Sequence, residues 1–500
     1  MRTVIFLLLG ICFIIKPVIY AYEENAAVEK LKIQENKLNK TGHEKQLFNF
    51  EKFDAMKFIK PDVCGQCHSE IYSQWEGATH SKAFIDPIWR AATKLFYNEA
   101  KTMGQVLEVK LCVKCHIPLG FGFDVIQFNN ENYEELMALP AQGTFCNWCH
   151  NINEALHIGG SGADPGTDLK EIDTAIILGP RKDPRWENPP KDVKLTMHPS
   201  EYSELYTKSD FCGLCHNMSY LENKLPIVQT FDEWKKSPYN TNDPKTTITC
   251  QDCHMRQRSG IPGTGATKKL NNPGKAADNG PTREHVWTHY FAGGNSLIPK
   301  LMGSDLHSFL AIERLTNAAE LEIITDDYYE KGKISQIKIK AINSGAGHYL
   351  PTGMTVIRQM WLEVKITSAD GITIFASGTM DKKGDLEKNT VIYNTVLSDK
   401  NGEPTMNIAL ADRILYDHRI PPKDNVVENY NFIIPEDAVS PLNVEVILKY
   451  RTASPDFVRK LLGEKAPHFS DNMKSILSDN KSDIAIPVID MTSSTEKIKF

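Results

Sequence analysis

The sequence predicts a multidomain protein in which a mainly α-helical and irregular region is followed by an antiparallel β-sandwich. Two observations support this prediction. Cysteine pairs followed by histidine recur five times between Cys64 and His254, in a region with much Gly, Pro and Asn and few long apolar runs. From about residue 320, apolar residues alternate at period two between turn signals. With 500 residues, 41% of them hydrophobic, the chain is long enough for two or more domains.

The N-terminal segment has the features of a secretory signal peptide. Arg2 precedes the apolar run TVIFLLLGICFII, which is too short to span a bilayer comfortably, and the small residue Ala21 ends the segment. We expect cleavage near Ala21, removal of Cys12 with the signal, export to the periplasm or beyond, and no membrane span in the mature chain. Residues 22–58 would form a polar leader. The formal charge of -6 indicates no nucleic-acid partner.

Ten of the eleven cysteines lie in five copies of Cys-x-x-Cys-His. A dithiol redox enzyme needs one such pair, and structural zinc gives no reason for a histidine after every pair. Covalent haem c explains both features, because two thiols bond the haem vinyl groups and the histidine binds the iron. We therefore predict five covalently attached haem c groups, within a pentahaem cytochrome c domain over residues 59–310. Motifs one to five are Cys64-Cys67-His68, Cys112-Cys115-His116, Cys146-Cys149-His150, Cys212-Cys215-His216 and Cys250-Cys253-His254.

The function depends on what occupies the sixth position of each iron. A second histidine favours electron transfer with little rearrangement, whereas an open position can bind a small molecule. Ten histidines remain outside the motifs, which exceeds the five that bis-histidine haems would need. The candidates for second ligands are His80, His157, His198, His289 and His348.

Local context favours these candidates. His80 follows motif one in a segment whose aromatic residues at helical spacing could pack on a porphyrin. His285 and His289 are four residues apart and could share one helix face, and His157 could serve a neighbouring haem. His348 lies in GAGHYLPTG, a loop that could reach back over a haem across the domain boundary. The alternative is that this histidine only stabilises the loop through hydrogen bonds.

The flanks of the motifs resemble cytochrome c-554-like multihaem cytochromes. The segments CGQCHSEIYSQWEGATHSKAF, ILGPRKDP…MHPSEYS…FCGLCHN and TFDEWKKSPYN…ITCQDCHM, followed by HYFAGGN, are similar to that group. The resemblance implies axial-ligand roles for His80, His198 and His289. The segment NSGAGHYLPTGMTVIRQMWLEV resembles the β-rich C-terminal domain of secreted multihaem cytochromes, which we place at residues 320–495.

The β-sandwich prediction also has support from the residues themselves. Turn signals at Asp370-Gly371, Asn401-Gly402 and Pro421-Pro422 separate the alternating segments, as in an antiparallel sandwich. No cysteine lies in this part, so no haem is attached there. The alternating residues are Ile337, Ile339, Leu362, Val364, Ile366, Val444, Val446, Leu448 and Tyr450.

Three functions compete on this evidence. The first is electron transfer between extracytoplasmic redox partner proteins, other multihaem cytochromes among them. The second is an oxidoreductase that acts on a small nitrogen or sulfur compound at one open haem. Pentahaem nitrite reductases are similar in haem count, but their catalytic haem typically has lysine in place of the motif histidine, and all five motifs here end in histidine. The third is surface binding by the sandwich. The surplus of histidines favours electron transfer, and the sequence predicts no catalytic residue.

Overall fold

A computed structural model describes residues 58–119, 141, 143–152, 177–179, 198, 200–220, 223–263, 269, 271–463 and 486–500. The predicted signal peptide, the polar leader up to residue 57 and His157 lie outside the described residues. In the part that is described, no helix is both long enough and apolar enough to cross a membrane.

Most α-helices in the described residues lie before residue 320, and each motif begins within one of them. They are short because Gly, Pro and Asn interrupt the chain frequently. The α-helices are α1 (Pro61–Gly65), α2 (Ser69–Glu76), α3 (Pro87–Glu99), α4 (Met103–His116), α5 (Cys146–Cys149), α6 (Asp210–Gly213), α7 (Thr230–Lys235), α8 (Cys250–His254), α9 (Leu297–Leu301), α10 (Asp305–Thr316) and α11 (Pro455–Gly463).

The longest helices begin at capping residues. The Asp86 carboxylate accepts hydrogen bonds from the N–H groups of Ile88 and Trp89, and Pro87 occupies the first turn of α3. The Thr102 hydroxyl accepts from the N–H of Gln105 at the start of α4. Such caps satisfy N–H groups that have no partner inside the helix. Helix α4 follows α3 directly in the chain and ends in motif two.

Short strands connect the motif helices. β1 and β2 pair in parallel, whereas β3 with β4 and β5 with β6 form antiparallel pairs. The strands are β1 (Ile177–Gly179), β2 (Ser200–Tyr202), β3 (Met218–Ser219), β4 (Pro226–Val228), β5 (Gly274–Lys275) and β6 (Thr282–Arg283).

Eleven described strands follow residue 320 and form three antiparallel sheets. One sheet has the order β10-β9-β16-β17 with β11 also paired to β9, the second is β15-β8-β7, and the third is β13-β12-β14. The strands are β7 (Glu320–Thr325), β8 (Ile334–Ile342), β9 (Gln359–Thr367), β10 (Thr373–Ser377), β11 (Ile392–Tyr393), β12 (Thr395–Ser398), β13 (Pro404–Thr405), β14 (Arg413–Asp417), β15 (Asn425–Ile433), β16 (Leu442–Arg451) and β17 (Ile489–Ile498).

The period-two segments predicted from the sequence are confirmed as strands β8, β9 and β16. Their alternating apolar side chains are buried in one cluster that contains Ile337 and Ile339 of β8, Val364 of β9 and Val446 of β16. The first two sheets therefore share a hydrophobic core. The predicted turns also fall between strands, with Gly371 between β9 and β10 at a φ of 87° that glycine adopts without a steric cost.

A second cluster joins the β-rich region to the helices before residue 320. Phe457 and Leu461 of α11 are buried in the same cluster as Ile88 and Leu95 of α3. At its edge, the Asn407 amide donates to a carboxylate oxygen of Glu99. Helix α11 thus packs against α3, the helix before the one that ends in motif two.

Candidate functional site

Each motif forms about one helical turn. In motifs one, three and four, the histidine N–H donates to the carbonyl of the first cysteine, at 3.0, 2.9 and 2.9 Å. Motif two ends α4, and motif five forms α8. Residues at positions i, i+3 and i+4 lie on one face of a helical turn. The spacing of Cys-x-x-Cys-His therefore presents two thiols and one imidazole to the same side.

Four of the five motif histidines face a second imidazole. Two imidazole nitrogens bound on opposite sides of one metal ion, each at about 2 Å, would put the ring centroids roughly 6 Å apart. The observed separations match this spacing. With centroid distances and interplanar angles, the pairs are His68 with His198 (6.2 Å, 29°), His216 with His80 (6.0 Å, 86°), His150 with His289 (6.5 Å, 25°) and His254 with His348 (6.4 Å, 18°).

The site contains nine histidines, namely the five motif histidines and the four that face them. Backbone carbonyls fix the tautomer of five of the nine. A carbonyl oxygen can only accept, so each Nδ1 that contacts one carries the proton and Nε2 keeps its lone pair. This is the arrangement that metal-binding histidines usually show. The contacts are His68 with Ala276 O (2.5 Å), His116 with Ala83 O (3.2 Å), His254 with Ala292 O (2.9 Å), His289 with Trp287 O (3.1 Å) and His348 with Tyr349 O (2.9 Å).

The surroundings also lower the pKa of several of these histidines. Burial, reinforced by neighbouring histidines, lowers the pKa of His80 and of His289 to about 3. Burial lowers the pKa of His116 to about 4, although its hydrogen bond to Ala83 opposes the shift. A neutral imidazole is the form that binds a metal. These side chains are thus available as ligands over the physiological pH range.

Several motif cysteines contact a cysteine of another motif. These contacts link motif one to motif three, motif two to motif four, and motif four to motif five. The motifs therefore form two groups, with motifs one and three in one and motifs two, four and five in the other. The contacting pairs are Cys64 with Cys146, Cys115 with Cys215 and Cys212 with Cys250.

Motif two differs from the other four. Among the described histidines, none is paired with His116; its ring is stacked on the indole of Trp89, with centroids 4.5 Å apart and planes 10° from parallel. Trp89 lies on α3, directly before α4 in the chain. The predicted candidate His157 lies outside the described residues, so its role stays a prediction.

Residues around His289 hold the segment that contains it. Gln74 is buried on α2 and accepts from the backbone N–H of His289 at 2.8 Å. The carbonyl of Gln74 contacts Nε2 of His307 at 2.7 Å, and Nδ1 of His307 contacts the Ser304 hydroxyl at 2.7 Å. His307 thus has a structural role. The chain around His285 and His289 is not helical, so the expected shared helix face is not formed. His285 instead accepts from the Asn272 N–H.

A buried ion pair supports the loop of His348. Glu233 of α7 contacts the guanidinium of Arg419 at 2.5 Å and accepts from the Thr352 hydroxyl at 2.6 Å. A longer bond of 3.3 Å joins the Tyr349 N–H to the same carboxylate. On the motif-five side, buried Arg314 donates to the carbonyl of Cys253. The loop that was predicted to reach back over a haem is therefore fastened to α7.

Sequence reasoning missed the supporting residues Gln74 and Trp89, and also Phe291, whose ring contacts those of His80 and His289. Nothing in their spacing marks them, although Trp89 and Phe291 are aromatic residues near candidate histidines. Four of the five motif histidines pair with the candidates His80, His198, His289 and His348, whereas the described part of the chain gives His116 no histidine partner.

Haem c fits this donor set, because each motif offers two cysteine sulfurs and an imidazole on one face, and four motifs also face a second imidazole. In the described ranges, no group of three or more His, Cys, Asp or Glu side chains is arranged to hold a metal ion. The motif residues would hold the haem, and the facing histidines would occupy its other side.

Comparisons with known proteins show similarity to cytochromes c. Residues 63–151, which contain motifs one to three, match the family described as cytochrome c554 and c-prime. A penta-heme cytochrome c552 from Thermochromatium tepidum matches with a TM-score of 0.56 and 18% identity, over 89% of this chain and 100% of that chain. A CARDB domain from Pyrococcus furiosus matches with 10% identity over 36% of this chain and 85% of that chain, but its TM-score of 0.16 is too low to bear on the fold. No curated protein matches the chain.

The chain has the fold of a multihaem c-type cytochrome, with a haem region and a β-rich region that contains several antiparallel sheets. The resemblance to the cytochrome c-554-like group is confirmed over residues 63–151 by the family match.

Proposed function

We propose that this protein is a pentahaem c-type cytochrome that transfers electrons between extracytoplasmic redox partners. The observation that supports it best is the set of four facing imidazole pairs, with centroids 6.0 to 6.5 Å apart. Haem iron between two imidazoles changes between the ferric and ferrous states with little rearrangement, which suits it to one-electron transfer. The chain supplies the thiols that anchor the cofactor and the neutral imidazoles that bind it.

The contacts between motifs support a connected set of redox centres. Motif three contacts motif one through Cys146 and Cys64, and motif four contacts motifs two and five through its two cysteines. Phe291 lies between the histidines that face motifs three and four. All five motifs are thereby joined through neighbouring side chains, as conduction between two partners would need.

The domain organisation is part of the same proposal. It comprises a signal peptide over residues 1–21, a leader over 22–58, a pentahaem domain over 59–310 and a β-sandwich over 320–495, in a protein exported to the periplasm or beyond. The shared core of the first two β-sheets supports the sandwich. The surface by which redox partner proteins bind belongs to the same proposal.

Mass spectrometry and spectroscopy of the mature protein test this function. Five haem adducts on the motif cysteines and low-spin ferric signals from the sites of motifs one, three, four and five are expected. Fewer than five adducts, or high-spin iron at any of these four sites, would contradict the proposal.

A second candidate function has a specific observation in its favour. The indole of Trp89 is stacked on the ring of His116, and no described histidine faces His116. An oxidoreductase acting on a small nitrogen or sulfur compound at the motif-two site would need such an arrangement. Carbon monoxide added to the reduced protein distinguishes the two. Binding to one haem per chain favours the oxidoreductase, and no binding favours pure electron transfer.

A further inference from the structure

Phe291 lies between two of the candidate distal histidines. Its ring centroid is 4.7 Å from that of His80, with the planes at 84°, and 5.3 Å from that of His289, with the planes at 81°. Both contacts are edge-to-face, a preferred geometry for aromatic rings. His80 faces motif four and His289 faces motif three. One phenyl ring thus contacts an imidazole from each of two neighbouring sites.

The backbone of Phe291 has a strained, left-handed conformation. Its φ is 48°, in the left-handed region where a bulky L-residue is a genuine outlier. Such conformations persist where the surrounding structure fixes them, and they cluster at functional sites. Here the ends of the segment are held on both sides. The His289 N–H donates to Gln74, and the carbonyl of buried Ala292 accepts from Nδ1 of His254 in motif five.

The left-handed backbone at Phe291 explains how the four residues from His289 to Ala292 contact groups at the sites of three motifs. His289 faces motif three, Phe291 packs against the histidine that faces motif four, and Ala292 fixes the proximal histidine of motif five. The turn directs the Phe291 ring towards the two distal imidazoles while the next carbonyl reaches His254. A residue placed in this way restrains the rotation of both rings that it contacts.

We propose that Phe291 is a positioning residue that sets the orientation of the His80 and His289 imidazoles together. The inference rests on the proposed bis-histidine function. The orientation of axial imidazole planes controls the electronic state of low-spin ferric haem, so Phe291 would influence the sites of motifs three and four and leave motif one unchanged.

The test uses electron paramagnetic resonance and spectroelectrochemistry of the full-length, haem-loaded protein. His80→Met and His289→Met each identify one site, because each removes the low-spin bis-imidazole signal of that site. Failure of the wild-type protein to show those two signals would reject the proposed function, and the inference with it. Their presence makes the Phe291 variants decisive.

Phe291→Gly tests the ring without opposing the turn, because glycine adopts a positive φ freely. We expect the g-values and reduction potentials of the motif-three and motif-four sites to shift, with the motif-one signal unchanged. Phe291→Tyr keeps the ring and should retain wild-type signals at both sites. Lys224→Gly is the matched control, since Lys224 is exposed and has a φ of 57° away from these histidines; it should change none of the signals.

Two results would overturn the inference. One is a folded Phe291→Gly protein with five haem adducts whose motif-three and motif-four signals are both unchanged. The other is an equal shift at the motif-one site, which would mean that the ring only stabilises the domain as a whole. Thermal unfolding and intact mass establish folding and haem content for each variant.

Discussion

His254 and His348 face each other with ring centroids 6.4 Å apart and planes 18° from parallel, although one lies in motif five and the other in the β-rich region. The loop of His348 is held by Glu233, which belongs to α7 of the haem region. Completion of the motif-five site therefore depends on contact between the two regions.

Replacing His348 should affect one site only. In His348→Met we expect the loss of one low-spin bis-imidazole signal and a changed potential for that haem, because a thioether replaces an imidazole. Electron paramagnetic resonance and a redox titration would measure both. His418→Met is the control, since His418 stacks on Tyr393 and contacts Glu428 rather than a motif histidine. A wild-type spectrum in His348→Met would remove His348 from the ligand set.

The His80–His216 pair should have a distinct spectroscopic signature. Its planes cross at 86°, whereas the other three pairs lie within 29° of parallel. Perpendicular axial imidazoles leave the iron orbitals closer in energy than parallel ones do, so we expect one low-spin signal unlike the other three. His80→Met should remove that signal and no other. Four signals of one type in the wild-type protein would contradict the observed orientation.

The charge of Arg314 should raise the potential of the motif-five site. Its guanidinium is buried and donates to the Cys253 carbonyl. A positive charge favours the ferrous state, so Arg314→Gln should lower this potential by tens of millivolts, on the order of one charge interacting at an effective dielectric constant of about 20. Spectroelectrochemistry would measure the shift. Arg459→Gln, which removes an arginine paired with Asp385 in the β-rich region, should leave the potential unchanged.

Breaking the Glu233–Arg419 pair should be costly. Both side chains are largely buried, with 6% and 12% of their surface exposed. Arg419 keeps a second carboxylate partner in Asp417. A hydrogen bond to a charged group contributes about 1.5–3 kcal/mol, so Glu233→Gln should lower the free energy of unfolding by that order. Chemical unfolding would measure it. Glu322→Gln, at the more exposed pair with Lys340, should cost no more than about 1 kcal/mol. Equal losses in the two variants would refute a special role for Glu233.

Asp86 should make stability depend on pH. Burial raises the pKa of its carboxyl group to about 6, despite two backbone hydrogen bonds that oppose the shift. Between pH 4 and 6 the folded protein therefore retains a proton that the unfolded chain releases. The free energy of unfolding should fall by roughly 2–3 kcal/mol as pH rises through this window.

Asp86→Asn keeps a capping side chain but does not titrate. Between pH 4 and pH 7, the free energy of unfolding of this variant should therefore fall less than that of the wild type. Parallel pH profiles for the variant and the wild type would count against the raised pKa.

Local sequence patterns predicted the motifs and the strands well. The spacing of Cys146, Cys149 and His150 is itself the geometry of one helical turn, and the alternation around Ile337 and Val446 follows from the pleat of a half-buried strand. These features need only neighbouring residues. The same reasoning identified His80, His289 and His348 as candidates from their immediate context.

The pairing could not be predicted, because it depends on contacts between residues distant in sequence. His198 precedes motif four yet faces motif one, and His80 follows motif one yet faces motif four. The helix expected through His285 and His289 does not form; the His289 N–H donates to Gln74 and His285 accepts from the Asn272 N–H. The role of Phe291 could not be predicted for a similar reason. It depends on a backbone angle and on two ring contacts, and neither can be derived from the spacing of residues in the sequence.

The distance in sequence between facing histidines also has a consequence for biogenesis. Synthesis and secretion proceed from the N-terminus, so the cysteines of each of motifs one, three and five leave the ribosome well before the imidazole that faces them. On the proposed function, the maturation machinery would meet these three motifs while their opposite side is still open, and His348 would be the last of the four facing imidazoles to arrive. A truncated nascent chain that stops before the GAGHYLPTG loop would then carry all five covalently attached haems, but motif five would still lack its second ligand.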